Sequence, residues 1–594
     1  MKPIARTAVC IVLVILAGFV IYLPAFEASF HLDDSNSIRD NASIRHLGNI
    51  KAVRDFWPTR FFTYLTLAVN FHFSGLSPFP YHLTNVLVHI FNALLVYFIF
   101  RRLFRAPAYI PLIASLLFLS HPIQTQAVTY VIQRATSLAS CFYLLSVLFY
   151  LRFRMVGHGG GPSPCKVADY VLSLLFCSCA MLTKEFTITL PLVLALIEFL
   201  ALKDAETRKA RRIAFLLPFL CAMLIIPLTV FFNSGNPRYN DSGQIEWLRE
   251  SGVVETAAPG HGKSPLRYLT TQPRVIVTYL RLIILPLKQR PEYDYPMFSS
   301  FTETPVVMSL AVISALLIGA WFLRKSYSLA ALGIFWFFLV LLPESSVIPV
   351  IDPIVEHRLY LPLVGALMVL SALMAGNARL RTPLVVVAIA AITCFCGLTY
   401  SRNLVWRDPV TLWEDNAAKA EGKARVHGNL GKAYLDAGRY EEAAREFRRM
   451  IELDPTFAGA YNNLAVIYID HLKDYDEAQR YISASLELFP DYPVGYVNRG
   501  VICLNTRRLR PAIENFEKAL ELDPKNLLAH YNLAACYINL GDPDRAEEYL
   551  RRGLSFWPED NRFHILLARI YSRRGNAKEA ESYLYNAVPL QPLR

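Results

Sequence analysis

Two adjacent carboxylates, Asp33 and Asp34, follow the first apolar run of the chain in the string Phe30-His31-Leu32-Asp33-Asp34-Ser35. A hydroxyl is a poor nucleophile at neutral pH, and a carboxylate held beside it can take its proton, so either acid is a candidate general base. Groups able to steady an anionic leaving group stand further along: Arg134 after Gln133, Lys184 beside Glu185 in a short turn, and His357 and Arg358 in the run Glu356-His357-Arg358-Leu359-Tyr360-Leu361-Pro362. Fixed cations and hydrogen-bond donors stabilise charge that builds on a departing phosphate. Plainer readings stand beside these. The acidic pair can be solvated interfacial charge, Lys184-Glu185 a turn marker, and Glu356 a salt-bridge staple for Arg358.

A further polar set is His82, Asn85, His89 and Asn92, at offsets of 0, 3, 7 and 10 within an otherwise apolar segment. At ~100° per residue these lie within an arc of about 80° on one helix face. Polar groups in a bilayer span face a bundle interior or a cavity, and both interhelical hydrogen bonding and ligand contact fit. His121-Pro122 and the string Tyr293-Asp294-Tyr295-Pro296 complete the candidates.

These residues need apolar elements to position them. Of 594 residues, 54% are hydrophobic and 18% charged, with a mean hydropathy of +0.32. That excludes a disordered or fibrous chain and implies a membrane part. Spans are expected at 7–26, 82–100, 109–120, 136–151, 169–183, 186–202, 213–232, 304–323, 327–342, 360–376 and 383–400, eleven in all. The first is long enough for a hydrocarbon core of ~30 Å and reads as an uncleaved span with the N-terminus inside. The segments 1–6, 101–108, 152–168, 203–212, 324–326 and 377–382 carry 17 Lys and Arg against two acids, Asp204 and Glu206, and all fall on one side under this count. This is the positive-inside pattern, so the net charge of +12 speaks for orientation in a bilayer and not for nucleic acid. The segments 27–81, 233–303 and 343–359 then face outward, and within the second, Val275 to Leu287 reads as an interfacial or re-entrant helix. Ten cysteines, seven of them inside apolar runs, support neither zinc ligation nor a disulfide framework.

After Tyr400 the composition turns charged and alanine-rich. Pro455, Pro490, Pro524, Pro558 and Pro592 recur at steps of 35, 34, 34 and 34, the period of tetratricopeptide repeats. Leu430, Gly431, Tyr434, Ala443 and Phe447 in the first repeat, Gly500, Ala512, Phe516 and Ala519 in the third, and Leu567, Ala568, Tyr571, Ala580 and Ala587 in the fifth suit that assignment. The fold class is therefore all-α: a membrane helical bundle at 1–400, a linker helix at 401–423 and five repeats at 424–594, whose stacked pairs offer a concave face to a partner.

Taken in order, the Asp33-Asp34 pair, the His82/Asn85/His89/Asn92 stripe, His121-Pro122, Arg134, Lys184-Glu185, Tyr293-Asp294-Tyr295-Pro296 and the Glu356–Pro362 string, with repeats behind them, resemble the transmembrane and tetratricopeptide repeat-containing O-mannosyltransferases and their bacterial relatives. Gln126 departs from the pattern, since eukaryotic members often carry an acid in the string after His-Pro. The resemblance implies a type C glycosyltransferase fold and transfer of a sugar from a polyprenyl-phosphate donor to an acceptor hydroxyl of a protein, with inversion, at the outer membrane face. Asp33 or Asp34 would serve as base, with His357, Arg358, Arg134 and Lys184 on the donor phosphate. Glu185, Glu356, His121, His89, Tyr360 and Asp294 would support the site. Adjacent carboxylates can bind Mg²⁺ or Mn²⁺, but a hard cation wants about six oxygens, and the expectation is chemistry without a metal or other cofactor. Expected partners are the lipid-linked sugar, membrane lipids and a protein on the repeats. A chain closing at Leu593-Arg594 without a retention signal suits a bacterial inner membrane with periplasmic repeats. The competing functions are a lipid-linked polysaccharide polymerase or ligase, and a non-catalytic membrane-anchored scaffold.

Overall fold

The computed structural model describes residues 3–104, 106–155, 164–202, 209–233, 264–346 and 352–587. Expectations for the inner-loop stretches 156–163 and 203–208, for most of 233–263, for 347–351 and for Pro592 lie outside these residues. Among the described residues every regular element is helical. The chain divides into two compact units, one ending at Glu421 and the other comprising the repeats from Gly422 onward.

In the first unit the helices used below are α1 (Pro3–Ile21), α2 (Phe61–Ser74), α3 (Pro78–Leu103), α4 (Tyr109–Ser120), α5 (Arg134–Met155), α6 (Pro164–Met181), α7 (Leu190–Leu196), α8 (Lys209–Ala222), α9 (Ile225–Phe232), α10 (Pro265–Ile284), α11 (Thr304–Leu323), α12 (Ser328–Leu341), α13 (Pro362–Gly376), α14 (Ala378–Val405) and α15 (Pro409–Ala417). Six helical stretches are long and apolar enough to cross a membrane: those of α3, α5, α6, α8 with α9, α11 and α14. Four shorter apolar helices, α1, α4, α12 and α13, pack among them. The chain is an integral membrane protein. α3 packs on α1, α4 and α5, α5 on α6, and α4 on α13 and α14, around one continuous apolar core.

The first span ends at Ile21 and the span expected at 213–232 is two helices; three further stretches differ from the sequence reading, each for a local reason. The segment 186–202 is a broken element: a 3₁₀ turn at Glu185–Thr189, the short α7, and a wide turn at Ile197–Ala201. Within that turn the fully buried Glu198 is held by Arg154 at 2.7 Å and by the Tyr150 hydroxyl at 2.9 Å. The helix expected from Val275 starts ten residues earlier, at Pro265, where a proline suits the first turn. It stops at Ile284, ahead of Pro286. The last span does not end at Tyr400 but runs as one helix to Val405.

α12 and α13 meet through glycine. A β-carbon built on Gly333 would lie closer than 3.0 Å to the carbonyl oxygen of Gly365, and the reverse holds for Gly365. Small residues let membrane helices approach this closely, and here the neighbour is backbone that cannot swing aside. The contact sets the position of α13 and so of the Glu356–Leu361 string that enters it.

The second unit holds five helix pairs, from Ala424–Asp436 with Tyr440–Leu453 to Asn561–Arg573 with Ala577–Asn586. Phe447 and Phe516 are buried in their pairs, and Phe516 fills the space beside Gly500. The turn inside each pair contains one left-handed residue: Gly438, Lys473, Arg507, Gly541 and Gly575, with φ between 56° and 77°. Three are glycine, whereas Lys473 and Arg507 carry a β-carbon in that region. Replacing Arg507 or Lys473 by glycine is therefore expected to stabilise the repeat unit by about 1 kcal/mol. Thermal melting of the full chain, followed by a signal from the repeats, checks this; an unchanged or lower midpoint in both variants refutes it.

Candidate active site

The acidic turn is built by its own backbone. Leu32 sits at φ 50°, a left-handed conformation that an L-residue with a β-carbon rarely adopts. It turns the two acids in different directions. Asp34 is fully buried; its carboxylate accepts the amide of His31 at 3.0 Å and that of Ile132 at 2.7 Å. Asp33 is exposed, and its amide donates to the Tyr130 hydroxyl at 2.9 Å. Burial raises the Asp34 carboxyl to about 7, against the pull of the two amides and with help from the charge of Asp33. Behind the turn, the His31 Nε2–H donates to the carbonyl of Trp406 at 2.7 Å, and the Trp406 ring lies against both His31 and Tyr130.

The cationic group lies on the other side of the segment 130–136. Lys184 Nζ donates to Thr136 at 2.7 Å and to Gln133 at 3.4 Å, and lies 4.0 Å from Glu344. Arg358 Nε is 3.6 Å from the same Glu344, while its terminal nitrogens donate to the carbonyls of Pro353 and Asp352, each at 3.1 Å. Arg60 pairs with Glu185 at 3.4 Å, and Thr59 donates to that carboxylate at 2.9 Å. Lys184, Arg358, His357, Glu344 and Thr136 line a tight, partly open cleft of about 10 Å³. Burial lowers the Lys184 ammonium to about 8, partly countered by Glu344. The Ile132 amide that bonds Asp34 and the Gln133 side chain that bonds Lys184 belong to adjacent residues, so one short segment ties the acids to the cations.

His357 takes a different role from the cation expected. Burial, then the charges of Lys184, Arg358 and Arg60, hold its imidazole well below the usual histidine range, so it is neutral. Its Nδ1 and its backbone amide both donate to Gln126 Oε1, at 3.2 and 2.8 Å. In that tautomer Nε2 carries a lone pair and accepts. The neutral amide of Gln126 thus fixes which ring nitrogen is protonated.

The remaining candidates divide by what they touch. Arg134 is fully buried on the far side of the segment: Nε donates to Asn85 and Nη1 to Asn70, both at 2.6 Å, and Nη2 donates to the Tyr81 carbonyl at 2.9 Å. All three guanidinium nitrogens are engaged within the protein. Glu356 does not staple Arg358. It accepts from the Tyr293 hydroxyl at 2.6 Å, the Arg290 amide at 2.7 Å and Gln289 at 3.2 Å, and burial raises its carboxyl. His89 donates through Nε2 to the Leu119 carbonyl at 3.2 Å and accepts from the Tyr360 hydroxyl through Nδ1 at 2.7 Å, while Asn92 donates to the same hydroxyl at 2.9 Å. His121 Nε2 donates to the Ile283 carbonyl at 2.9 Å. Asp294 is exposed. Three of the four members of the polar stripe on α3, Asn85, His89 and Asn92, thus bond to other segments, whereas among the described residues the ring nitrogens of the buried His82 have no hydrogen-bond partner. Among the described residues no three His, Cys, Asp or Glu side chains converge as metal ligands. Arg60, Glu344, Thr136 and Trp406 were not nominated from the sequence; only their neighbours across the fold mark them.

Models described as tetratricopeptide repeat match residues 429–493, 507–570 and 561–582. Over 499 residues the chain is 26% identical to Protein O-mannosyl-transferase TMTC1 of Homo sapiens, covering 76% of this chain and 56% of that protein. It is 25% identical over 619 residues to Protein O-mannosyl-transferase Tmtc3 of Drosophila melanogaster, covering 87% and 64%. The chain is thus similar over most of its length to proteins named Protein O-mannosyl-transferase. A shorter stretch, 193 residues, is 33% identical to tmtc2 of Xenopus laevis and covers 29% of this chain and 22% of that protein. The chain spans 56% and 64% of the length of the first two relatives.

The two acids should separate experimentally. Asp34→Asn keeps one carbonyl oxygen for two amide donors and turns an NH₂ toward the other, which is expected to cost about 1–3 kcal/mol. Asp33→Asn, at an exposed position, should leave the melting midpoint within a degree or two of wild type. Thermal unfolding in detergent reads both, and equal destabilisation by the two substitutions would contradict the division of roles.

Proposed function

We propose that the chain is a membrane glycosyltransferase that moves a sugar from a polyprenyl-phosphate donor to a Ser or Thr hydroxyl of a protein, at the outer face of a bacterial inner membrane. The observation that carries the reading is the pairing of an exposed carboxylate, Asp33, with a partly open cleft lined by two cations, Lys184 and Arg358, the two joined through residues 130–136. The relatives' names make mannose the first sugar to test.

In this reading Asp33 takes the proton of the acceptor hydroxyl as the oxygen attacks the anomeric carbon. Asp34 positions it by pinning the turn to Ile132. The donor phosphodiester carries one negative charge and gains a second as the sugar leaves. Lys184 and Arg358, with Arg60 behind them, face that charge across Glu344 and Glu185, an excess of one positive charge. These cations occupy the role that a divalent metal would fill, and we propose that none is needed. His357 accepts a hydrogen bond from a sugar or acceptor hydroxyl through Nε2. Displacement in one step inverts the anomeric centre. Tetratricopeptide repeats suit a protein acceptor or an accessory protein.

Two measurements test the proposal in proteoliposomes supplied with synthetic polyprenyl-phosphate mannose and peptide acceptors. Asp33→Asn should lower turnover by about 10²–10⁴-fold, while Asp34→Asn should lose activity together with stability. Wild-type turnover in Asp33→Asn, or sugar incorporated into glycan and never into peptide, overturns the reading. The second is a pH profile. Lys184 is charged below about 8 and neutral above it, so the donor KM should rise as pH climbs through 8, and Lys184→Arg, charged throughout, should flatten that limb. A limb that persists in Lys184→Arg removes Lys184 from phosphate binding.

A further inference from the structure

Helix α10 carries two faces with different work. Its inner face clamps the loop that holds Arg358: Tyr268 donates to the Glu344 carbonyl at 2.6 Å, Gln272 to the Pro353 carbonyl at 3.3 Å, and Tyr279 to the Val355 carbonyl at 2.9 Å. On the other face Arg267, Arg274 and Arg281 follow at steps of seven residues, and Lys288 continues the series beyond the helix; all four are exposed. Seven residues return a helix to nearly the same azimuth, so the arginines form one stripe. Among the described residues none of these three arginines has an ion pair or a side-chain hydrogen bond. The stripe is flanked at its ends by exposed Leu266, Ile284, Leu285 and Leu287.

Charge distribution makes the stripe more unusual. From Ser264 to Pro291 the sequence has five bases, Arg267, Arg274, Arg281, Lys288 and Arg290, and no acid. The segment belongs to a loop that the basic loops elsewhere place on the opposite side of the membrane from themselves, where a cationic excess is not needed for orientation. α10 is 20 residues long, enough to span, yet it is not among the helices apolar enough to do so. Upright in the bilayer, its stripe would hold Arg274 against hydrocarbon at the midplane, the most disfavoured position for a charge. Lying in the interface, the same stripe meets headgroups and the flanking leucines and isoleucine reach the acyl boundary.

We propose that α10 is an interfacial helix whose arginine stripe binds the phosphates of anionic phospholipid headgroups in the surrounding leaflet. Residues seven apart on a helix are separated by ~10 Å along the axis, and side chains on a convex face cannot converge on one phosphate, so each arginine takes its own headgroup. That spacing favours the leaflet's phospholipids over a single donor phosphate. The inference goes beyond the proposed transfer reaction and does not depend on it.

The test is lipid retention by the full chain, with no assay of sugar transfer. Protein reconstituted in vesicles of phosphatidylcholine with phosphatidylglycerol is re-extracted, washed and weighed by native mass spectrometry, beside the triple variant Arg267→Gln/Arg274→Gln/Arg281→Gln and the matching triple change to Lys. Wild type should retain phosphatidylglycerol in preference to phosphatidylcholine, the glutamine variant should lose that retention by about fivefold or more, and the lysine variant should keep most of it. Melting midpoints of the three proteins should agree, since the substituted side chains are exposed and unpaired within the fold. Equal retention in the glutamine variant overturns the proposal. So does retention that a short-chain polyprenyl phosphate displaces and phosphatidylglycerol does not, which would assign the stripe to the donor.

Discussion

A guanidinium without access to water must find all its partners inside the protein, and Arg134 is the residue in which this constraint binds hardest. Its bonds reach Asn70 on α2, Asn85 and the Tyr81 carbonyl on α3, and its own backbone begins α5. Three helices are therefore held at one charge. Asn85 in turn donates to the carbonyls of Val128 and Val131, so the same knot fixes the short segment from which Ile132 reaches Asp34 and Gln133 reaches Lys184. Removing either asparagine would strand a buried cation, which is why the geometry of the acidic turn and of the cationic pocket rests on residues that touch neither.

How far the sequence could be read follows from the range of the interactions involved. The repeats were legible because their signal is local and periodic: prolines two residues beyond the helix ends at Leu453, Leu488, Leu522 and Phe556, and glycine opposite phenylalanine within a pair. Apolar runs announced the membrane helices for the same reason. The break at 186–202 was hidden because hydropathy averages over Glu198, whose cations come from Arg154 and Arg212 in other segments. The acidic pair could be found by type, but its division into one buried and one exposed acid depends on Leu32 and on an amide about a hundred residues away. Arg134 and Arg358 look alike in sequence. One has its nitrogens taken by asparagines and a carbonyl, and the other, its terminal nitrogens on carbonyls, lines the pocket beside Glu344.

Loop and helix also share the work around Glu344. This carboxylate stands between Lys184 and Arg358, neither close enough for a tight ion pair, at 4.0 and 3.6 Å. A looser pair is easier to reorganise around an incoming anion than a bidentate one. The loop's backbone, by contrast, is held closely by Tyr268 and Tyr279 of α10 and by the contacts of Glu356 to residues 289–293. Fixed main chain with loosely paired side charges lets the side chains rearrange while the backbone stays in place.

α14 extends 28 residues without a break, about 42 Å, against a hydrocarbon core of ~30 Å. In its last turn Arg402 donates to Asp415 at 2.8 Å and Asn403 accepts from Thr129 at 2.5 Å, and the helix leads into Trp406 behind the acidic turn. The height at which that tryptophan stands is thus fixed by how much of one rod the membrane covers. A bilayer of different thickness would have to thin, thicken or tilt the rod, and the strain would arrive at the same few residues, making hydrophobic mismatch a force felt directly at Asp33 and Asp34.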